Sequence, residues 1–331
     1  MKYFPLAPFP TCLAPLSRSI ALLALSLFSS GDVAAKDRAG PRDQEPREKA
    51  IEPAAISFDA DLIENFLGGS QEEDQQALAA IAISPKEEKR LGDEAAEAYL
   101  NTLRSRGIRF ARRGAEIDYL RKLIATLQPM LRNADRYRNV RLHLADSPEI
   151  DARSFPGGTI VVFRGLIDFA ESEAALVGVL GHELSHFDRG HQLVSLKRVK
   201  LAQRTFGGKR SFDPQEILSA GGQMARLFGR PFRPEDEAQA DEDGAAWAYR
   251  AGYDPREMAK LFLRLDERKP AGDKARFMPA LLRTHPFSLD RHRAIVAQAE
   301  KLIAETPDAP LYVGRTNLAR RIPRSEQEFD P

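Results

Sequence analysis

The chain has 331 residues, 43% hydrophobic and 29% charged, enough for one sizeable core or two small ones and ordinary for a soluble globular protein. Its 49 Lys and Arg against 48 Asp and Glu leave a net charge of +1, so bulk charge gives no argument for nucleic acid or an anionic membrane as partner. The single cysteine, Cys12, lies near the N-terminus, so the folded part can hold neither a disulfide nor a thiolate metal site. Any metal must use His, Asp or Glu.

Lys2 and Arg18 are basic, residues 20–28 are apolar, and Val33, Ala34 and Ala35 are small. This pattern predicts an export signal over residues 1–35, cleaved after Ala35, and a periplasmic protein. The apolar run is too short to span a bilayer. Cys12 precedes that run, which is the wrong context for a lipid anchor. Residues 36–83 form a charged, proline-bearing linker that turns weakly helical from residue 61.

A firmer helix starts at Ser84-Pro85, a natural N-cap followed by a proline suited to the first helical position, and ends near Gly107. Another covers residues 116–132, with Ile117, Leu120, Ile124, Leu127 and Leu131 at helical spacing and Pro129 as an early stop. Residues 140–144 and 159–163 read as strands, the second preceded by a Pro156-Gly157-Gly158 turn. Beyond them the pattern is helical, with breaks near Gly190, Gly207, Asp213, residues 229–234, residues 252–255 and His285-Pro286. The core is expected over residues 84–304. Residues 305–331 read as a polar, loosely attached tail.

Residues 172–188, SEAALVGVLGHELSHFD, have helix-forming composition and an N-cap serine. They contain His182, Glu183 and His186 in the order HExxH. Residues four apart lie on one helix face, about 6 Å along the axis, so both imidazoles can converge on one zinc ion at ~2.0–2.1 Å. Glu183, rotated by about 100°, can reach a water activated by the metal. The plainer reading is a solvated face that happens to carry two histidines. Against it, Ala174, Ala175, Leu176, Val177, Val179 and Leu180 make the preceding turns apolar nearly all round. Two buried histidines beside a buried glutamate are costly without a partner such as a metal.

A catalytic zinc needs a third protein ligand and one open position. In residues 234–251 the candidate is Glu237, with Asp241 one turn later to accept a hydrogen bond from a ligand imidazole. Spacing alone leaves Glu235, Glu242 and His191 equally admissible, and an acidic first turn also suits the helix dipole.

Four ordered segments resemble the HtpX-, BepA- and Oma-type zinc metallopeptidases, gluzincins related to the CAAX prenyl proteases. They are ARSFPGGTIVVFRGL at 152–166, HELSHFDRGH at 182–191, EAQAD at 237–241 with Gly244 and then AGYDP at 251–255, and HPFSLDR at 285–291. The resemblance covers roughly residues 91–298. It implies an α+β, mainly helical zincin fold with a small sheet beside the active-site helix. It implies one Zn2+ per chain on His182, His186 and Glu237, with Glu183 as general base and Asp241 behind a ligand. His191 is not a ligand in that pattern and is expected to pack at the helix end. His285 is expected on a loop near the zinc, either donating to the oxyanion or filling the open position as a latch. Arg291 either clamps that loop or binds a substrate carbonyl. The stretch Ala152 to Phe155 and the pair Arg233-Pro234 depart from the family's usual sequence there.

The implied reaction is metal-assisted peptide hydrolysis. Thr159, Ile160 and Val161 are expected to offer a strand edge to an extended peptide. The expected substrates are polypeptides, specifically unfolded or misassembled envelope proteins, with no nucleic acid and with membrane-associated or envelope assembly proteins as candidate partners. Sequence leaves the oligomeric state open. The rivals are a latent zinc-containing chaperone or binding protein, and a structural zinc site, which would be closed by four protein ligands and have no use for Glu183.

Overall fold

The computed structural model describes residues 78–194, 196, 197, 200, 232–269, 279–309 and 311–329. The expected export signal, most of the linker and the breaks near Gly207 and Asp213 lie outside them.

Helix α1 (Pro85–Ser105) begins where Ser84 accepts the amide of Glu87 on its side chain, with proline in the first turn. Strand β1 (Arg109–Ala111) follows, then α2 (Ala115–Leu127). Pro129 sits in a single 3-10 turn, Gln128–Met130, that ends this helix five residues before the longest reading of its periodicity. Strands β2 (Arg141–Asp146), β3 (Ala152–Phe155) and β4 (Thr159–Phe163) complete one sheet in the order β1-β2-β4-β3. β4 runs parallel to β2 and antiparallel to β3.

Two expectations change here. First, β4 is an inner strand, with β2 and β3 occupying its two ladders. Thr159, Ile160 and Val161 are fully buried, so no peptide can add to them. An inner strand covered on both faces is apolar throughout instead of alternating, and TIVVF is such a run. On one face Ile160 and Val162 join the main core; on the other Val161 and Phe163 pack with Leu91, Ala95, Leu100 and Leu103 of α1. Among the described residues the outer edge on this side is β3.

After α3 (Arg164–Phe169) comes α4 (Glu173–Asp188), the HExxH helix, buried along its whole length. Helices α5 (Pro234–Arg250) and α6 (Arg256–Asp266) pack on it, and α7 (Ala280–Thr284) and α8 (Leu289–Glu305) follow. α4 and α5 approach to backbone contact. A Cβ on Gly244 would lie 2.8 Å from the carbonyl oxygen of Gly178 and 3.1 Å from the amide nitrogen of His182.

The second change concerns the C-terminal segment. Residues 311–329, with α9 (Arg315–Arg320), are fastened to the start of α4. The carbonyls of Val313 and Gly314 accept the amides of Ala174 and Glu173, which have no partner inside the helix. Ser172 Oγ takes the amide of Ala175. Tyr312 exchanges backbone hydrogen bonds with Gly252 and Asp254, and the Glu173 carboxylate accepts Tyr253 Oη at 2.6 Å and the Arg324 amide at 2.8 Å. The tail is polar because backbone and hydrogen-bonding groups hold it, so composition alone misjudges its attachment.

Replacing Gly244 by alanine forces a methyl into backbone atoms that cannot swing away. The expected cost is about 1–3 kcal/mol of stability, read as a lower thermal midpoint, together with weakened metal retention. An unchanged midpoint would mean that α5 can shift without consequence.

Candidate metal centre

His182 and His186 project from the same face of α4, and their rings lie 4.7 Å apart, edge to face. Their Nε2 atoms are 3.0 Å apart and aim at one region. Glu237, in the first turn of α5, brings Oε1 to 3.4 Å from His186 Nε2 and Oε2 to 3.8 Å from His182 Nε2. His285, at the C-cap of α7, places Nδ1 3.1 Å from His182 Nε2 and 2.9 Å from Glu237 Oε1. All four side chains are buried. Among the described residues they are the group able to hold a metal ion.

The separations test that fit. Four ligands at ~2.0–2.1 Å in a tetrahedron stand about 3.3–3.4 Å from one another. The observed 2.9–3.8 Å brackets this value. Two imidazoles, a carboxylate and a third imidazole therefore fit one small divalent cation.

The acidic run on α5 divides by face. Glu235 and Glu242 are exposed and point away, whereas Asp236, Glu237, Asp241 and Asp243 are buried. Arg233 pairs with Asp236 through two hydrogen bonds of 2.7 and 2.8 Å, and Pro234 starts the helix. The unusual Arg-Pro approach thus still sets Glu237 in the first turn. Asp241 Oδ1 lies 3.0 Å from His182 Nδ1. Arg291 holds that same carboxylate with Nε and Nη2, both at 2.8 Å, and reaches Glu237 Oε2 at 2.5 Å and the Pro286 carbonyl at 2.7 Å.

Glu183 lies beside the cluster. Both its oxygens are buried without an aligned hydrogen bond, and Oε1 has His285 Nε2 at 3.1 Å. Burial alone pushes this carboxyl up, but the His285 imidazole, with His186 and His182 behind it, brings it down to about 2. For His285 burial pushes down, and the Glu237 and Glu183 carboxylates outweigh it, raising the imidazole to about 10. Burial holds His186 down at about 3, so its imidazole is neutral. Glu237 is well below the usual carboxylate range, because His285, His186 and His182 more than offset its burial.

Of the residues selected from sequence, the fold brings together His182, His186, Glu237, His285, Glu183, Asp241 and Arg291. It leaves Thr159, Ile160 and Val161 inside the sheet. His191 is not among the facing atoms, but its Nδ1 lies 3.0 Å from His186 Nδ1. Sequence reasoning missed Phe232, whose ring stacks on His186 at 3.7 Å and 20° and whose amide donates to the Thr284 carbonyl at 3.1 Å. A phenylalanine two residues before a helix carries no signal that could have singled it out.

Comparison with known proteins points to the same region. A model of the family described as Peptidase family M48 matches residues 118–299. The chain is similar to the beta-barrel assembly-enhancing protease of Yersinia pestis, 28% identical over 172 residues, which is 48% of this chain and 34% of that protein. The protein of that name from Escherichia coli K12 is 28% identical over 161 residues, 45% of this chain and 32% of its own length. The mitochondrial metalloendopeptidase OMA1 of Danio rerio is 30% identical over 203 residues, 55% and 39% of the two chains. The chain thus spans about a third of the length of these curated relatives.

Glu237→Ala removes a facing oxygen, and Asp241→Ala removes the partner of one. Titration with zinc should show near-complete loss of tight binding for the first and roughly a 10- to 100-fold loss for the second. The reverse order would mean that Asp241 is the carboxylate that holds the metal.

Proposed function

The chain belongs to peptidase family M48, and we propose that it is a zinc-dependent endopeptidase that cleaves unfolded or misassembled cell-envelope proteins, with Glu183 as general base. One observation carries the reaction class: a buried carboxylate, Glu183, with no aligned hydrogen bond, stands next to a compact His182, His186, Glu237 and His285 cluster. A purely structural site has no use for such a group, which costs stability unless it acts. Imidazole and carboxylate donors without thiolate suit zinc. Envelope substrates are supported by the N-terminal export pattern and by the similarity to beta-barrel assembly-enhancing proteases.

His182, His186 and Glu237 would hold the ion. Zinc, when bound, supplies a Lewis acid that acidifies water and polarises the scissile carbonyl. Glu183, ionised, takes the proton of the attacking water and hands it to the leaving amine, forming the new carboxyl end and releasing the new amino end.

For His285, the position of Nδ1 among the ligand atoms favours the latch over the oxyanion donor. In this reading His285 would join His182, His186 and Glu237 in holding the ion at rest, and a peptide would have to displace it before Glu183 could meet a water.

Glu183→Gln should retain zinc and lose casein cleavage by several orders of magnitude, because it removes the base and leaves the ligands. Full activity in this variant would end the proposal. The same variant, incubated with envelope extracts, should trap unfolded envelope polypeptides; capture of none, or of cytoplasmic proteins only, would remove the substrate assignment.

His285→Ala should bind zinc through the remaining three ligands and cleave casein faster than wild type at rest. Slower turnover with zinc retained would instead give His285 the oxyanion role.

A further inference from the structure

Helix α4 ends in a way that its sequence dictates. The amide of Gly190 donates to the Phe187 carbonyl at 3.1 Å, and the amide of His191 donates to the His186 carbonyl at 2.9 Å. Gly190 has φ +74°, in the left-handed region. These two bonds and that glycine make a Schellman ending. In such an ending the residue after the glycine returns over the residue five places back, usually to make an apolar contact. Here the two residues are His191 and His186. Their Nδ1 atoms lie 3.0 Å apart, and both rings are buried.

The protons in this contact follow from its far end. The Gln239 Oε1 on α5 receives Arg189 Nη1 at 3.0 Å. Arg189 has no acceptor, so this atom of the amide is its oxygen. Arg189 is itself fixed by Asp243, with hydrogen bonds of 2.6 and 2.8 Å. The same oxygen faces His191 Nε2 at 3.4 Å, and the Asp236 carboxylate stands 4.0 Å from that nitrogen. Both neighbours are acceptors, so His191 Nε2 carries the proton. A neutral His191 then presents a lone pair at Nδ1, and His186 must donate its own Nδ1–H. That leaves the lone pair of His186 on Nε2, the atom that faces His182 and Glu237.

We infer that His191 is a positioning residue for the metal centre: it accepts the Nδ1–H of His186 and so fixes the ring orientation and tautomer in which His186 can bind zinc. This rests on the reading of His186 as a ligand. Packing at the helix end, the expectation from sequence, does not require two nitrogens to face each other, and a phenyl ring would serve it equally well.

The test compares zinc dissociation constants, by chelator competition at fixed pH, in wild type, His186→Ala, His191→Phe and His191→Asn. Thermal midpoints of the metal-stripped proteins are measured alongside. Asparagine places an amide oxygen near the position of Nδ1 and can accept the same bond. His191→Phe should weaken zinc roughly 10- to 100-fold with a metal-stripped midpoint close to wild type, and His191→Asn should recover affinity to within about threefold. Equal affinity in wild type and His191→Phe overturns the inference, as does an equal loss in both His191 variants. If His191→Phe does not fold, Gln239→Leu replaces it. That variant removes the acceptor that orients His191, and should weaken zinc severalfold; unchanged affinity again overturns the inference. A wild-type chain that binds no zinc, or a His186→Ala variant that binds it normally, refutes the ligand assignment itself. It is thereby distinguished from failure at His191 alone.

Discussion

Helices α4 and α5 meet backbone to backbone at Gly181 and Gly244, and the metal centre exists because nothing stands between them there. Asp241 lies three residues before Gly244 and Glu237 seven before it, so both share the face that α5 turns toward α4. His182 follows Gly181 directly. The close contact therefore delivers Asp241 to one nitrogen of His182 and Glu237 to the side where the other nitrogen points. A Cβ at either glycine would meet backbone atoms at 2.8–3.1 Å and force the two helices apart, moving the carboxylates off the imidazoles.

That proximity gathers charge in a place with little water. Glu183, Glu237, Asp241, Asp236 and Asp243 are all buried. Isolated, each would cost several kcal/mol or take up a proton. The fold answers with arginines in forked contact: Arg291 on Asp241, Arg189 on Asp243 and Arg233 on Asp236. Glu183 and Glu237 are different, because the His285 imidazole lies against both. Arg291 also reaches Glu237, so one arginine serves both Asp241 and the cluster, whereas Glu183 has the His285 imidazole as its charged neighbour.

Much of this was legible beforehand, for identifiable reasons. Ser84 and Ser172 cap where a serine before a helix should, and HExxH fixed the spacing of both histidines. Spacing could not choose among Glu235, Glu237 and Glu242, because the choice depends on which face of α5 meets α4. Gly244 held that information, since a glycine inside a helix signals a close approach, but the contact partner is distant in sequence. Strand β3 escaped because ARSF is short and half polar, and without it β4 looked like an edge. The attachment of residues 311–329 escaped because carbonyl groups make it, and every residue type has one.

His182 and His186 are held in different ways, and the difference bears on the proposed latch. His182 is backed by Asp241, which Arg291 holds while also reaching Glu237 and the carbonyl of Pro286, next to His285. Its orientation is thus tied to the segment that carries His285. His186 is backed by His191, whose position is set by the end of α4 itself and by Gln239 and Arg189. That backing does not isolate His186 from residues 279–286, because Phe232 stacks on its ring and donates to the Thr284 carbonyl, and the His285 ring lies 5.1 Å away. A displacement of His285 would therefore be felt on both sides of the centre, through Arg291 at His182 and through Phe232 at His186. Under the proposed latch the site must keep its metal when His285 leaves. The contact of His186 with His191, which sits at the end of α4 and not on the segment carrying His285, is one that such a movement would spare.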